Sequence, residues 1–197
     1  MARPNVELQR REQILRAACS VISEIGHAKL RVADVAKEAG LSSGTVHYYF
    51  DSKEAVMKAA FEYNYRHSLA SRRLLLSAEQ DPLTLLTKLV DSYLPLRPES
   101  MKAWRVWSEL WVEGVRDPEL QAINDTIYGE WRQLIVDMLV RAQAAEQVRQ
   151  GDPVELANML LGMIDGLAVQ VMVHSRQMDV KLMRKVLASF IEMIEAD

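Results

Sequence analysis

Between Leu41 and Val56 the chain reads LSSGTVHYYFDSKEAV, which gathers hydroxyls, an imidazole, two phenols and a lysine within 16 residues. Ser43, Thr45, His47 and Tyr48 can donate to phosphate oxygens or read base edges, and Thr and Tyr also offer apolar surface to a thymine methyl. Gly44, without a side chain, lets the backbone approach a groove wall. Val46 and Phe50 are four apart, so on a helix they share the opposite face and can pack on Ile22 and Val35. The N-termini of this helix and of the next one, beginning at Lys53, would supply N–H groups for phosphates.

A second group of candidates lies further on. Trp104, Trp107 and Trp111 recur at i, i+3, i+7, and Tyr128 and Trp131 repeat the spacing one helix later. Such a stripe fills a core or lines a pocket, and the pattern itself leaves both open. Glu109 and Glu113 add carboxylates on the tryptophan helix. Asp165 interrupts an apolar run, where it must meet an internal donor or counter the charge of a cationic ligand. Tryptophans with carboxylates suit an organic cation such as a quaternary ammonium.

These residues need helices to hold them. Gly (8) and Pro (6) are scarce in 197 residues, 49% are hydrophobic and 26% charged, and no run alternates as a half-buried strand would. The expected fold is all-α, with about nine helices: a three-helix head carrying a helix-turn-helix, and a helical body. Apolar spacing predicts helices near 6–25, 32–39, 42–48 and 53–76. Proline and glycine breaks predict five more, near 82–95, 99–115, 118–149, 154–174 and 180–194. The domains would be 1–52 and 53–197, with helix 53–76 joining them. Ser42 and Ser52 are the expected N-caps around the aromatic run.

Charge divides along the same line. Residues 1–73 carry 12 Lys/Arg against 8 Asp/Glu, and residues 74–197 carry 12 against 19, together the net -3. A positive head suits a polyanion. Arg10, Arg11 and Arg16 could track a phosphate backbone or lie on a solvated face.

Two short helices about Gly40 could equally be a packing device, but the run is longer and more ordered than that requires. RVADVAKEAGLSSGTVHYYFDSKEAV (Arg31–Val56), preceded by ILRAACSVISEIG, resembles the signature of TetR-family transcriptional regulators across residues 10–60. The resemblance implies an all-α homodimer with DNA-binding heads and a ligand-binding, dimerising body. It places Ser43, Thr45, His47, Tyr48 and Tyr49 at base- and phosphate-contacting positions and Lys53 at a phosphate contact. Arg31 stands where many members carry a Thr or Ser cap, and could contact phosphate instead. MKAWRVWSELW (Met101–Trp111) and LLGMIDGLAVQ (Leu160–Gln170) resemble the body of the choline-responsive BetI-type subgroup.

The expected function is therefore a ligand-responsive repressor on a palindromic double-stranded operator, released when a ligand moves helix 53–76 and changes head separation. The candidate ligand residues are Trp104, Trp107, Trp111, Tyr128, Trp131 and Asp165. Gly162 and Gly166, four apart, would let helices 154–174 and 180–194 pair across a dimer, with Leu182, Met183, Val186, Leu187, Phe190, Ile191 and Ile194 on the ninth helix; plain intrachain packing is the alternative. A helical carrier or adaptor is the rival function.

An enzyme is not expected, since no nucleophile elbow or phosphate loop is present. No cofactor is implied. The four histidines lack metal-ligand spacing, and Cys19, alone, reads as core. The N-terminus lacks a signal-peptide pattern, and the apolar stretch Met159–Val173 is too short and polar to span a bilayer alone. A cytoplasmic location with no membrane partner is expected.

Overall fold

Helices form where apolar spacing and capping agree, and they stop where a left-handed residue or a competing pairing intervenes. The computed structural model describes residues 3–76 and 81–196, with side chains given for 6–72 and 81–196. Among these the helices are α1 (Arg3–Ile25), α2 (Val32–Glu38), α3 (Ser43–Tyr49), α4 (Lys53–Leu76), α5 (Pro82–Tyr93), α6 (Pro98–Gly114), α7 (Pro118–Ala144), α8 (Pro153–Met172) and α9 (Val180–Ile194). The all-α expectation is met. The described residues contain no strand, only an isolated antiparallel bridge between Val148 and Glu195.

The chain packs as two compact units. One comprises Met1–Ser68 with Lys102–Asn124, and the other Leu69–Met101 with Asp125–Asp197. Helices α4, α6 and α7 each contribute residues to both.

In the first unit, α1 packs on α2 and α2 on α3. Ile14, Ala18, Ile22, Val35, Val46 and Phe50 are all buried there. α1 ends at Gly26, whose φ of +79° is left-handed and favours glycine. Gly40 turns the chain out of α2 in the same way, at φ +65°, and the Leu41 N–H closes on the Ala36 carbonyl at 2.8 Å. Ser42 then caps α3 by accepting from the Thr45 N–H at 3.0 Å, and Ser52 caps α4 by accepting from the Ala55 N–H at 3.0 Å. Arg31 occupies the N-cap position of α2 with extended backbone and no side-chain cap bond. Cys19 is buried and donates to the Ala60 carbonyl at 3.3 Å, and burial raises its thiol pKa to about 12.

In the second unit, α9 packs against α8 and α5. Asp81, Asp152 and Asp179 cap α5, α8 and α9 through the N–H groups of Thr84, Val154 and Leu182. α7 stops at Ala144, five residues before the expected end. The sequence AQAAEQVRQ favours helix, but Glu146 turns left-handed at φ +57°, freeing the following backbone to pair with the end of α9. The Arg149 N–H then donates to the Ile194 carbonyl at 2.9 Å, and the Ala196 N–H to that of Gln147 at 3.0 Å.

α8 extends the apolar stretch expected at 159–173 toward its N-terminus. It has 20 residues and, among the described residues, is long and apolar enough by length and composition to cross a membrane. Val154, Leu156 and Ala157, at its start, supply the extra apolar length. Leu160, Ile164 and Ala168 are buried. On the ninth helix, Met183, Leu187, Phe190, Ile191 and Ile194 are buried within the chain, the intrachain packing read as the alternative. Leu182 (39% exposed) and Met193 (63% exposed) face outward, as do Met159 (46%) and Val169 (39%) on α8 and Val173 (69%) at its C-cap.

Candidate functional site

The sequence divides α3 cleanly, and the structure keeps the division. Val46 is fully buried and Phe50 nearly so, whereas Ser43, Gly44 and His47 are exposed and Tyr48 is 77% exposed. Thr45 and Tyr49 are half-buried. The Ser42 hydroxyl caps the helix and also meets the Thr45 hydroxyl at 2.9 Å, so both are oriented by one turn. Tyr48 and Tyr49 stand edge to face with ring centroids 5.1 Å apart.

The basic residues around α3 are only partly free. Arg11 lies over the Phe50 ring at 4.5 Å, and its guanidinium donates to the Tyr49 carbonyl at 3.5 Å. Arg10 donates to Gln13 at 2.9 Å, and Arg16 pairs with Glu12 at 2.9 Å. Lys53 donates its Nζ to the Ala28 carbonyl at 3.0 Å, and a phosphate would have to replace that carbonyl. Arg31 is exposed.

The same unit holds the three tryptophans of α6. Trp104 and Trp111 meet at 6.1 Å, and Trp107 meets Tyr65 at 6.3 Å, both edge to face. Glu109 and Glu113, expected as carboxylates for a ligand, are directed elsewhere. His27, just past the end of α1, sets Nδ1 2.5 Å from Glu109 Oε2 and Nε2 3.1 Å from Glu113 Oε1. Helical spacing brought the two glutamates to one face, and a histidine 82 residues away in sequence occupies that face.

In the second unit, Tyr128 and Asp165 come together: the phenol donates to Asp165 Oδ2. Of the two roles read for Asp165, the internal donor is therefore present. Burial raises the Asp165 pKa to about 6, partly offset by the Tyr128 hydrogen bond. Burial also pushes the Tyr128 pKa up, followed by the Asp165 charge, its hydrogen bond and the nearby Tyr93. Trp131 is buried and lies against Tyr93, with centroids 5.1 Å apart and planes tilted 59°.

Sequence reasoning missed Tyr93 and Arg72. The Arg72 guanidinium stands 4.3 Å from the Tyr93 centroid and 4.9 Å from that of Trp131. Its Nε donates to Ser92 Oγ at 2.9 Å and its Nη2 to the Ser92 carbonyl at 3.1 Å. Burial lowers its pKa, with the Tyr93 phenol acting in the opposite sense. Tyr93 was legible only as the last apolar position of α5. Arg72 lay in SRRLLL, where nothing marks one arginine as turned onto aromatic rings. Among the described residues no group of three or more His, Cys, Asp or Glu is arranged to hold a metal.

A capped α3 with its polar face outward, following α2 across the Gly40 turn, makes a helix-turn-helix, the layout of a DNA-binding regulator. The N-terminal model of bacterial regulatory proteins of the TetR family matches residues 14–60. The C-terminal model of BetI-type transcriptional repressors matches residues 82–195. The chain belongs to the TetR family, in its BetI-type branch.

The regulator BetI of Stenotrophomonas maltophilia is 39% identical over 129 residues, covering 64% of this chain and 66% of that protein. BetI of Proteus mirabilis is 28% identical over 130 residues, covering 62% and 64%. These matches thus span about two thirds of the curated relatives' length. A transcriptional regulator of Saccharomonospora viridis, solved in complex with choline, superposes with a TM-score of 0.90 at 31% identity, covering 96% of this chain and 98% of its own. A TetR-family regulator of Rhodococcus sp. superposes at 0.83 with 26% identity, covering 95% and 98%.

Proposed function

We propose that the chain is a transcriptional repressor that binds a palindromic DNA operator as a homodimer and is released by a small organic cation. The observation that carries the DNA-binding half is α3: it buries Val46 and Phe50 and leaves Ser43, Gly44, His47 and Tyr48 open to a partner. In this reading Tyr48 and His47 read base edges, Ser42, Ser43, Thr45 and Tyr49 meet the groove wall and phosphates, and Arg31 and Lys53 neutralise phosphates. Two heads of one dimer would occupy major-groove segments about one helical turn apart or slightly more.

The dimer would form on the outward faces of α8 and α9. Met159, Val169, Val173, Leu182 and Met193 leave apolar surface there. A Cβ added at Gly162 or Gly166 would meet no atom within 4 Å, so both offer room for another backbone. The protein would act in the cytoplasm, without a membrane partner and without catalysis.

The effector would bind in the second unit on Tyr93, Trp131 and Tyr128, with Asp165 as the counter-charge. Aromatic faces attract a cation that is already poorly hydrated, and a carboxylate held in a low-dielectric pocket strengthens the attraction. The choline bound by the Saccharomonospora viridis relative supports a quaternary ammonium as the class.

Calorimetry tests the effector. Choline, betaine aldehyde or a polyamine should bind saturably. Absence of heat with all three, alongside saturable binding of fatty acids or acyl thioesters, would contradict the cation. A gel shift on the gene's own upstream DNA tests the regulator against a helical carrier, which would leave that DNA unshifted.

A further inference from the structure

Three groups in the second unit make a cation site that is already filled from within. Tyr93 and Trp131 tilt toward each other at 59°, and one positive group, the Arg72 guanidinium, lies within 5 Å of both ring centroids. Both distances fall inside the range of cation–π attraction. Arg72 is anchored there by two N–H groups on a neutral residue, Ser92, whose hydroxyl in turn donates to the Leu89 carbonyl at 2.6 Å. Its place on α4 matters too, because the same helix begins at Lys53, immediately after α3.

We propose that Arg72 is a built-in stand-in for the effector: in the free chain its guanidinium holds the cation place on Tyr93 and Trp131, and an incoming organic cation must displace it. The proposal rests on the reading above that the effector is a cation bound at these rings. An ammonium centre on the same faces would sit within a few ångströms of the guanidinium, and two positive charges that close in a desolvated site repel strongly. One of them has to leave.

The departure of Arg72 breaks both bonds to Ser92 and returns a half-buried guanidinium to water, a direction its lowered pKa also favours. It releases the body's hold on the C-terminal part of α4. The free chain thus keeps α4 in one arrangement by satisfying its own cation site, and the effector shifts the equilibrium by taking that site over. The observed affinity for the effector is lowered by the fraction of chains in which Arg72 is docked.

Removing the charge should therefore tighten binding. Choline is titrated by calorimetry into the wild-type protein, Arg72→Met and Arg72→Ala. The methionine keeps an apolar stem, and we expect about tenfold tighter choline binding from lost competition of this kind. Guanidinium chloride in the low millimolar range should raise the melting temperature of Arg72→Ala saturably and leave the wild type unmoved. Wild-type protein labelled with 15N at arginine Nε gives a readout needing no stable variant. A ring-shifted Nε–H signal should move to the solvent-exposed position as choline saturates.

Choline binding with that signal unmoved, or binding by Arg72→Met no tighter than wild type, would overturn the displacement and leave the cationic effector intact. Failure of choline and tetramethylammonium to bind any of the three proteins would overturn the cationic effector itself.

Discussion

His27 and Glu109 meet twice on one oxygen: the His27 backbone N–H donates to Glu109 Oε2 at 2.9 Å, and the ring Nδ1 lies 2.5 Å from it. The contact fastens the end of α1 to α6. With Glu113 at 3.1 Å from Nε2, both ring nitrogens face carboxylates, and only the doubly protonated ring can donate to both. A Cβ at Gly26 would come within 3.3 Å of the same carboxylate, so the turn tolerates little else.

Glu109→Ala strips the backbone N–H and the ring of an acceptor together. The cost should be about 1–3 kcal/mol, the usual penalty for leaving a partly buried donor unmet. Urea unfolding of the purified protein measures it as a lower midpoint at unchanged slope. A midpoint equal to wild type would mean that water replaces the carboxylate without cost.

Asp165 links stability to pH. Its ordinary pKa is 3.8, and burial raises it to about 6 in the folded chain. The folded state therefore keeps a proton that the unfolded chain releases, so this group's favourable contribution is full below pH 4 and is lost as pH rises to 6. Asp165→Asn removes the loss and keeps an acceptor for Tyr128. It should stabilise the effector-free protein at pH 7.5 by up to about 3 kcal/mol, the equivalent of a shift of roughly two pKa units. The same change should weaken choline binding, and wild-type affinity should fall below pH 6. Thermal unfolding from pH 4 to 8 tests the stability claim. A variant less stable than wild type at pH 7.5 would contradict it.

How far the sequence predicts the site depends on the range of the interaction. Ser42, Gly44, Val46 and Phe50 act within one turn of their own chain, so spacing and capping rules place them directly. The same is true of Lys53–Leu76 and Val180–Ile194, whose ends agree with the expected ones. The sequence shows Glu109 and Glu113 only as carboxylates on the tryptophan helix; being four apart they share a face, and what occupies it is His27, which no local rule brings near. Arg72, Ser92, Tyr93 and Trp131 come from α4, α5 and α7. Their meeting is a property of packing, and an isolated arginine in a helical run looks like solvated charge until the rings around it are seen. The early end of α7 has the same origin: a pairing with the end of α9 outweighs local propensity.

Two substitutions on the head separate reading from anchoring. Tyr48→Ala, at a 77% exposed position, should leave folding unchanged and reduce discrimination between operator and scrambled DNA by about 1–3 kcal/mol. Lys53→Ala should weaken both DNAs about equally and lower the salt slope by about 1. Fluorescence anisotropy across a salt series measures both. Equal losses on the two sequences for Tyr48→Ala would remove it from base reading, and an unchanged slope for Lys53→Ala would remove that lysine from the phosphates.

In the proposed cycle one chain binds a specific DNA and lets go on meeting a cation. The most direct measurement is anisotropy of a labelled upstream palindrome and a scrambled copy, titrated with the wild-type protein at fixed salt, with and without saturating choline. The palindrome should bind at least about a thousandfold more tightly than the scrambled copy, as for specific regulators, and choline should remove most of that preference. Equal affinity for the two DNAs, or a preference that saturating choline leaves unchanged, would contradict it.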